Sequence, residues 1–118
     1  TTVLKDDDFG KTIFLTQTGG SDSNITLPPP TNGGQLTFIV ASTPGGTGDV
    51  VITAPTADTI VAMSAADSGA DGASNLLADT ITVEAASIGG ERIELVGDGT
   101  YWYCYVHQNA VGSITFAG

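Results

Sequence analysis

Basic side chains are nearly absent from this chain. Lys5, Lys11 and Arg92 stand against ten Asp and three Glu, giving a formal charge of −10 at pH 7. Clustered Lys and Arg are what neutralise phosphates, so the balance argues against nucleic acid as a partner, and against anionic membrane surfaces for the same reason. Cysteine is nearly absent too. With Cys104 alone, no internal disulfide can form. No run approaches the roughly 20 apolar residues of a membrane-spanning helix. No secretory signal is legible at the start, Thr1-Thr2-Val3, which suits a protein made in a cytoplasm. Histidine occurs once, at His107, and no Gly-x-Ser-x-Gly motif is present, so neither a nucleophile–base–acid triad nor a Cys/His zinc set can be assembled from motifs. Long-chain helix formers are scarce as well: two Lys, one Arg and three Glu.

What is abundant is Thr, Val, Ile and Gly, a composition that favours strands and turns. The 118 residues make one domain of common size, able to bury a core without covalent staples. The clearest signal is Glu91 to Val106, ERIELVGDGTYWYCYV. Asp98-Gly99 between two apolar runs predicts a two-residue type I′ hairpin, whose central residues both need positive φ. That turn sets Leu95 opposite Trp102, Ile93 opposite Cys104 and Arg92 opposite Tyr105. Period-two alternation then sorts the faces. Leu95, Trp102, Ile93, Cys104 and Val106 point to the core. Val96, Tyr101, Tyr103, Tyr105, Arg92 and Glu94 share the other face.

Further strands are expected at Lys11–Thr16, Asn24–Leu27, Gln35–Ser42, Val50–Ala54, Thr59–Met63, Thr80–Ala85 and Ser113–Ala117. In the Gln35 segment, Leu36, Phe38 and Val40 alternate toward the core. Pro28-Pro29-Pro30 cannot donate to a ladder and is expected to be extended, at an edge or on the surface. Lys5 to Lys11 reads as a charged turn. Ser64 to Asp79, rich in Ala, Ser, Asp and Gly, reads as an exposed loop with a helical turn at Asn75–Ala78, and His107 as an exposed loop residue. About nine short strands with regular turn signals predict an all-β, single-domain antiparallel sandwich or barrel spanning residues 1–118.

Two acidic groups invite a calcium reading: Asp6, Asp7 and Asp8, and Asp67, Asp71 and Asp79. Neither matches the spacing of a calcium loop or ends in a closing glutamate, so both read as solvated turns and no metal or other cofactor is expected. The tyrosine stripe Tyr101, Tyr103 and Tyr105, with Arg92 placed for a cation–π contact to Tyr105, is the candidate functional surface. Three readings are open for it: a second packing layer within the domain, a subunit interface, or a sugar-stacking platform.

Four phrases taken together carry a resemblance: Asp8-Phe9-Gly10-Lys11, Asn24-Ile25-Thr26-Leu27-Pro28, Phe38-Ile39-Val40, and Glu94 through Tyr103, ELVGDGTYWY. The chain resembles small β-rich virion proteins of tailed bacteriophages, above all head decoration, or cement, proteins. Similar hairpins occur in phage tail-fibre modules. The resemblance implies a non-enzymatic virion protein, assembled in the host cytoplasm, that binds the major capsid protein on the outer capsid surface as a homotrimer and stabilises the shell. The fibre alternative implies a receptor- or glycan-binding module.

Overall fold

A computed structural model describes residues 2–16, 20–41, 47–63, 76–85, 87, 89–108 and 113–117. They form two packed β-sheets, between which the chain passes repeatedly. Strand β1 (Thr2–Val3) belongs to the first sheet, β2 (Thr12–Leu15) to the second, β3 (Ser23–Thr26) to the first, β4 (Gln35–Val40) to the second and β5 (Val50–Thr53) to the first. A short 3₁₀ turn, Asp6–Asp8, joins the first two strands. The hairpin β6 (Ile60–Met63) and β7 (Leu76–Ala78) then lies in the second sheet and β8 (Thr80–Val83) in the first. Finally β9 (Arg92–Gly97) and β10 (Trp102–His107) form a hairpin in the second sheet, and β11 (Ile114–Ala117) closes the first. The orders are β1-β3-β5-β8-β11 and β2-β4-β9-β10-β6-β7.

The all-β sandwich expected from composition is the fold, with eleven described strands where about nine were expected. The sheets are mixed rather than antiparallel throughout. β1 with β3, β3 with β5, β2 with β4, and β6 with β10 run parallel. A parallel pair needs a long crossover, which is usually a helix. In the first half of this chain the crossover is a strand of the opposite sheet, so winding between the layers produces the parallel pairs directly. Alternation within a strand sorts its faces but says nothing of its neighbour's direction, which is why parallel pairing was not legible.

Alternation does fix the core. Leu36, Phe38 and Val40 of β4, Ile93 and Leu95 of β9, and Trp102, Cys104 and Val106 of β10 are all buried. They meet Ile52, Ile81, Val83 and Ile114 of the facing sheet, all fully buried. Burial pushes the Cys104 thiol far above its ordinary range, so it packs as a small apolar group. The smallest dimension of the molecule, 21 Å, is that of two sheets stacked about 10 Å apart plus their outward side chains.

Four expectations are corrected. First, the β9–β10 hairpin does not turn on two residues. Trp102 lies opposite Gly97, Cys104 opposite Leu95, Tyr105 opposite Glu94 and His107 opposite Arg92, leaving a four-residue loop from Asp98 to Tyr101. Gly99 has φ +97°, but Asp98 does not adopt positive φ. The shift is two residues, so every side chain that remains in the ladder keeps its predicted face, and only Tyr101 leaves it for the loop. Second, Leu76–Ala78 is a strand and not a helical turn; residues 64–75 lie outside the described ones. Third, His107 is the exposed last residue of β10 and not a loop residue. Fourth, the proline run is not a surface segment. Pro28 and Pro30 are buried, and only Pro29 is exposed. Pro28 C=O accepts the Trp102 indole N–H at 2.8 Å, Pro29 C=O accepts Thr31 N–H at 2.8 Å, and Pro30 C=O accepts Gly99 N–H at 2.7 Å.

The prolines press close to β9. A Cβ on Gly97 would stand 2.7 Å from the Thr31 carbonyl oxygen and 2.9 Å from the Pro30 carbonyl carbon, both backbone atoms that cannot swing aside. Gly97→Ala is therefore expected to destabilise by about 1–3 kcal/mol, the range for overfilling a packed interior. Urea denaturation followed by circular dichroism measures it; an unchanged midpoint would remove the close approach.

Candidate functional site

The outer face of the six-stranded sheet is built from three in-register rows. One runs Gln35, Val96, Tyr103, Val61, Leu77 across β4, β9, β10, β6 and β7. The next runs Thr12, Thr37, Glu94, Tyr105 from β2 to β10. The third runs Phe14, Ile39, Arg92, His107. Four of the five large apolar side chains most exposed among the described residues lie here: Phe14 at 64%, Tyr105 at 45%, Leu77 at 40% and Val96 at 36%. The opposite outer face, on the five-stranded sheet, is different. Its rows hold Val3, Thr26, Thr53, Thr80 and Ala117, and Asn24, Val51, Thr82 and Thr115, with Val3 at the β1 edge the one large apolar side chain among the described residues that is strongly exposed there. Hydroxyl groups dominate there, as on a solvated sheet surface. Among the described residues, large exposed apolar side chains are thus concentrated on one side.

Charge on the six-stranded face is self-compensating. Arg92 Nε donates to Glu94 Oε2 at 3.1 Å, and His107 Nε2 lies 3.9 Å from Glu94 Oε1. The corrected register places Arg92 opposite His107, so the predicted stacking of Arg92 on Tyr105 gives way to the Glu94 ion pair. Glu94 is itself the residue opposite Tyr105. These pairs are exposed and add little stability. Their consequence is a face that carries almost none of the −10 charge.

The hairpin loop is organised by Asp98. Its Oδ1 accepts Thr100 N–H at 2.8 Å and Tyr101 N–H at 2.7 Å, and its Oδ2 accepts the Tyr103 hydroxyl at 2.9 Å. A carboxylate that captures two backbone donors in this way explains the four-residue loop, because Thr100 and Tyr101 are held in the turn and do not extend the ladder. The same bonds hold the Asp98 carboxyl below the ordinary aspartate range, Tyr101 N–H first, then Thr100 N–H and the Tyr103 hydroxyl. The Tyr103 hydroxyl is held above the ordinary tyrosine range, first by that hydrogen bond, then by burial and the Asp98 charge.

The predicted site residues sort accordingly. Tyr103, Tyr105 and Arg92 share the face as expected, while Tyr101 is half-buried in the loop at its end. Phe14, Ile39, Val61 and Leu77 were missed. They come from strands remote in sequence, and only the sheet order brings them beside the tyrosines.

In the first acidic group, the Asp8 carboxylate accepts Lys5 N–H and Lys11 Nζ–H, both at 2.9 Å, and is held below its ordinary range by those contacts. Asp79 Oδ1 accepts Asp58 N–H at 2.7 Å; Asp67 and Asp71 lie outside the described residues. Among the described residues no group of three His, Cys, Asp or Glu could hold a metal ion. No protein-family model, curated protein or solved structure matches the chain.

Two outcomes follow from the loop. Gly99→Val places a β-branched residue at positive φ and is expected to cost about 1–3 kcal/mol in chemical denaturation. Asp98→Asn is expected to melt below wild type at pH 7. Because the folded chain depresses the Asp98 pKa, its contribution is complete above the ordinary aspartate range and fades as pH falls through the lower folded value. The two melting temperatures should therefore converge as the pH falls below the ordinary aspartate range and through the lowered folded value. A gap independent of pH would show that the carboxylate charge is not what holds the loop.

Proposed function

We propose that this chain is a non-enzymatic structural protein of a phage virion, a capsid decoration protein that binds the major capsid protein through the outer face of its six-stranded sheet and acts as a homo-oligomer, a trimer by the sequence resemblance. The observation that carries the docking part is the apolar, internally charge-balanced face with Tyr105, Val96, Leu77 and Phe14 exposed on it. A solitary soluble domain has little use for such a surface. The rest of the chain, strongly acidic, discourages indiscriminate clustering, so contact is restricted to complementary patches.

A second reading has its own observation. Tyr105 is exposed opposite Glu94, with Arg92 and His107 beside it. An aromatic platform ringed by hydrogen-bonding groups also suits a sugar, as in a glycan-binding fibre module.

The test is co-sedimentation with undecorated capsids. Tyr105→Ser combined with Val96→Ser removes the exposed large apolar side chains of the central strands β9 and β10 and leaves the Tyr103–Asp98 bond intact. The double variant is expected to keep its melting temperature within a few degrees and to lose capsid binding at least tenfold. Wild-type protein that ignores capsids but is retained on a glycan resin, in few copies per particle, would move the fibre reading to first place.

A further inference from the structure

Among the described residues each sheet ends in two edge strands: β1 and β11 in one, β2 and β7 in the other. Their sequences are TV, TIFL, LLA and ITFA, with no charged residue among them, in a chain of formal charge −10. Solitary β proteins protect their edges with charges, prolines, bulges or short strands. Here shortness is the protection; the other devices are missing from all four.

The edges fall at two ends of the sandwich. At the β1/β2 end the layers gape. A cleft of about 370 Å³ opens between β1–β3 and β2, with Leu4, Ile13, Leu15 and Ile25 inside it. Ile13 and Ile25 point inward yet are only half-buried, whereas their in-register neighbours Phe38 and Ile52 are fully buried. Among the described residues the one charged residue lining the cleft is Asp22, exposed, whose Oδ1 accepts Asp49 N–H at 3.0 Å. Backbone groups also face outward here. Lys11 C=O accepts Thr37 N–H and Leu15 C=O accepts Ala41 N–H, so odd-numbered residues of β2 turn to β4. The N–H and C=O of Thr12 and Phe14 are left for the open side. At the other end, Phe116 of β11 points inward and is half-buried, while its in-register neighbour Ile81 is fully buried. Both ends thus leave core side chains unfinished, one as a concavity and one as an apolar edge.

We infer that these ends are the two halves of one head-to-tail contact between copies of this chain: the β7/β11 end of one copy docks on the β1/β2 end of the next, strand beside strand. β7 then extends the six-stranded sheet past β2, setting Leu77 near Phe14, and β11 extends the five-stranded sheet past β1, bringing Phe116 toward the cleft mouth. The occupant is a second copy because a foreign strand would complete one end and leave the other, whereas each copy supplies both halves. Charge selects the same contact. Two chains at −10 repel, and the edge strands themselves carry no charge, so backbone can meet backbone there without drawing a charged side chain into the new ladder. A two-fold contact is disfavoured, since it sets cleft against cleft and leaves both Phe116 ends open. A head-to-tail contact repeats until the ring closes. This deepens the homo-oligomer part of the reading above and does not rest on the capsid part.

The experiment uses the full chain. Phe14→Cys and Leu77→Cys are prepared separately, and each is treated alone and as an equimolar mixture with a short bis-maleimide; buried Cys104 does not compete. Covalent dimers are expected in the mixture and not in either variant alone. Sedimentation velocity is expected to show wild type as a closed oligomer and Leu77→Lys as a monomer with an unchanged circular-dichroism spectrum. Dimers of Phe14→Cys alone would establish a two-fold contact and overturn the proposal. So would a wild-type monomer at high concentration, or a Leu77→Lys variant that stays assembled. Wild-type protein that cross-links as expected but does not bind undecorated capsids would sink the decoration reading and leave this one standing.

Discussion

A buried indole N–H has no water to bond with, and an unsatisfied donor in the interior costs on the order of 1–3 kcal/mol. The indole of Trp102, fully buried at the start of β10, finds its partner 74 residues earlier in the Pro28 carbonyl. Phe9 meets the ring edge-on at 5.8 Å, and the Trp102 backbone N–H donates to Thr59 C=O at 2.8 Å. One residue therefore ties together the N-terminal turn, the crossover between β3 and β4, the entry to β6 and the hairpin. The parallel pair β6–β10 begins at this residue, opposite Ile60. Positions of the outward tyrosines follow from it, because alternation from Trp102 places Tyr103, Tyr105 and His107 on the far side of the strand.

The two outer faces divide the molecule's dealings with its surroundings. Threonines cover one sheet, where hydroxyls bond to water and β-branching suits the strand. Aromatic and aliphatic side chains cover the other, and the ions among them cancel one another. Neither sheet is stabilised by these outward groups to the extent it is by Phe38, Ile52, Ile81 and Leu95 between the layers. The outward residues are therefore free to be chosen for contact and not for folding.

Much of this was legible in the sequence, and the limits have physical causes. Strand existence and sidedness came from alternation in QLTFIV, RIELVG and WYCYVH, and they survived a wrong turn because a two-residue slip preserves parity. The turn itself was misread because Asp-Gly advertises a tight hairpin, while the Asp98 side chain competes for the next backbone donors. LLA at Leu76–Ala78 is too short to declare its period. The apolar face was half visible: Tyr103 and Tyr105 announce themselves on one strand, but Phe14 and Leu77 reach it only through sheet order. That order depends on long-range pairing that no local pattern encodes.

Pro28, Pro29 and Pro30 have a consequence beyond their packing. A peptide run with carbonyls and no amide protons is a one-way conductor in the currency of hydrogen bonds: it can receive and never give. Each of its three oxygens is taken, by an indole, a neighbouring amide and the hairpin loop. No other strand can zip onto this connection, whether a misplaced segment of the same chain or a neighbour's. While the chain winds from the first sheet to the second, the crossover is deaf to false partners, and the strands on either side of it are left to find their own.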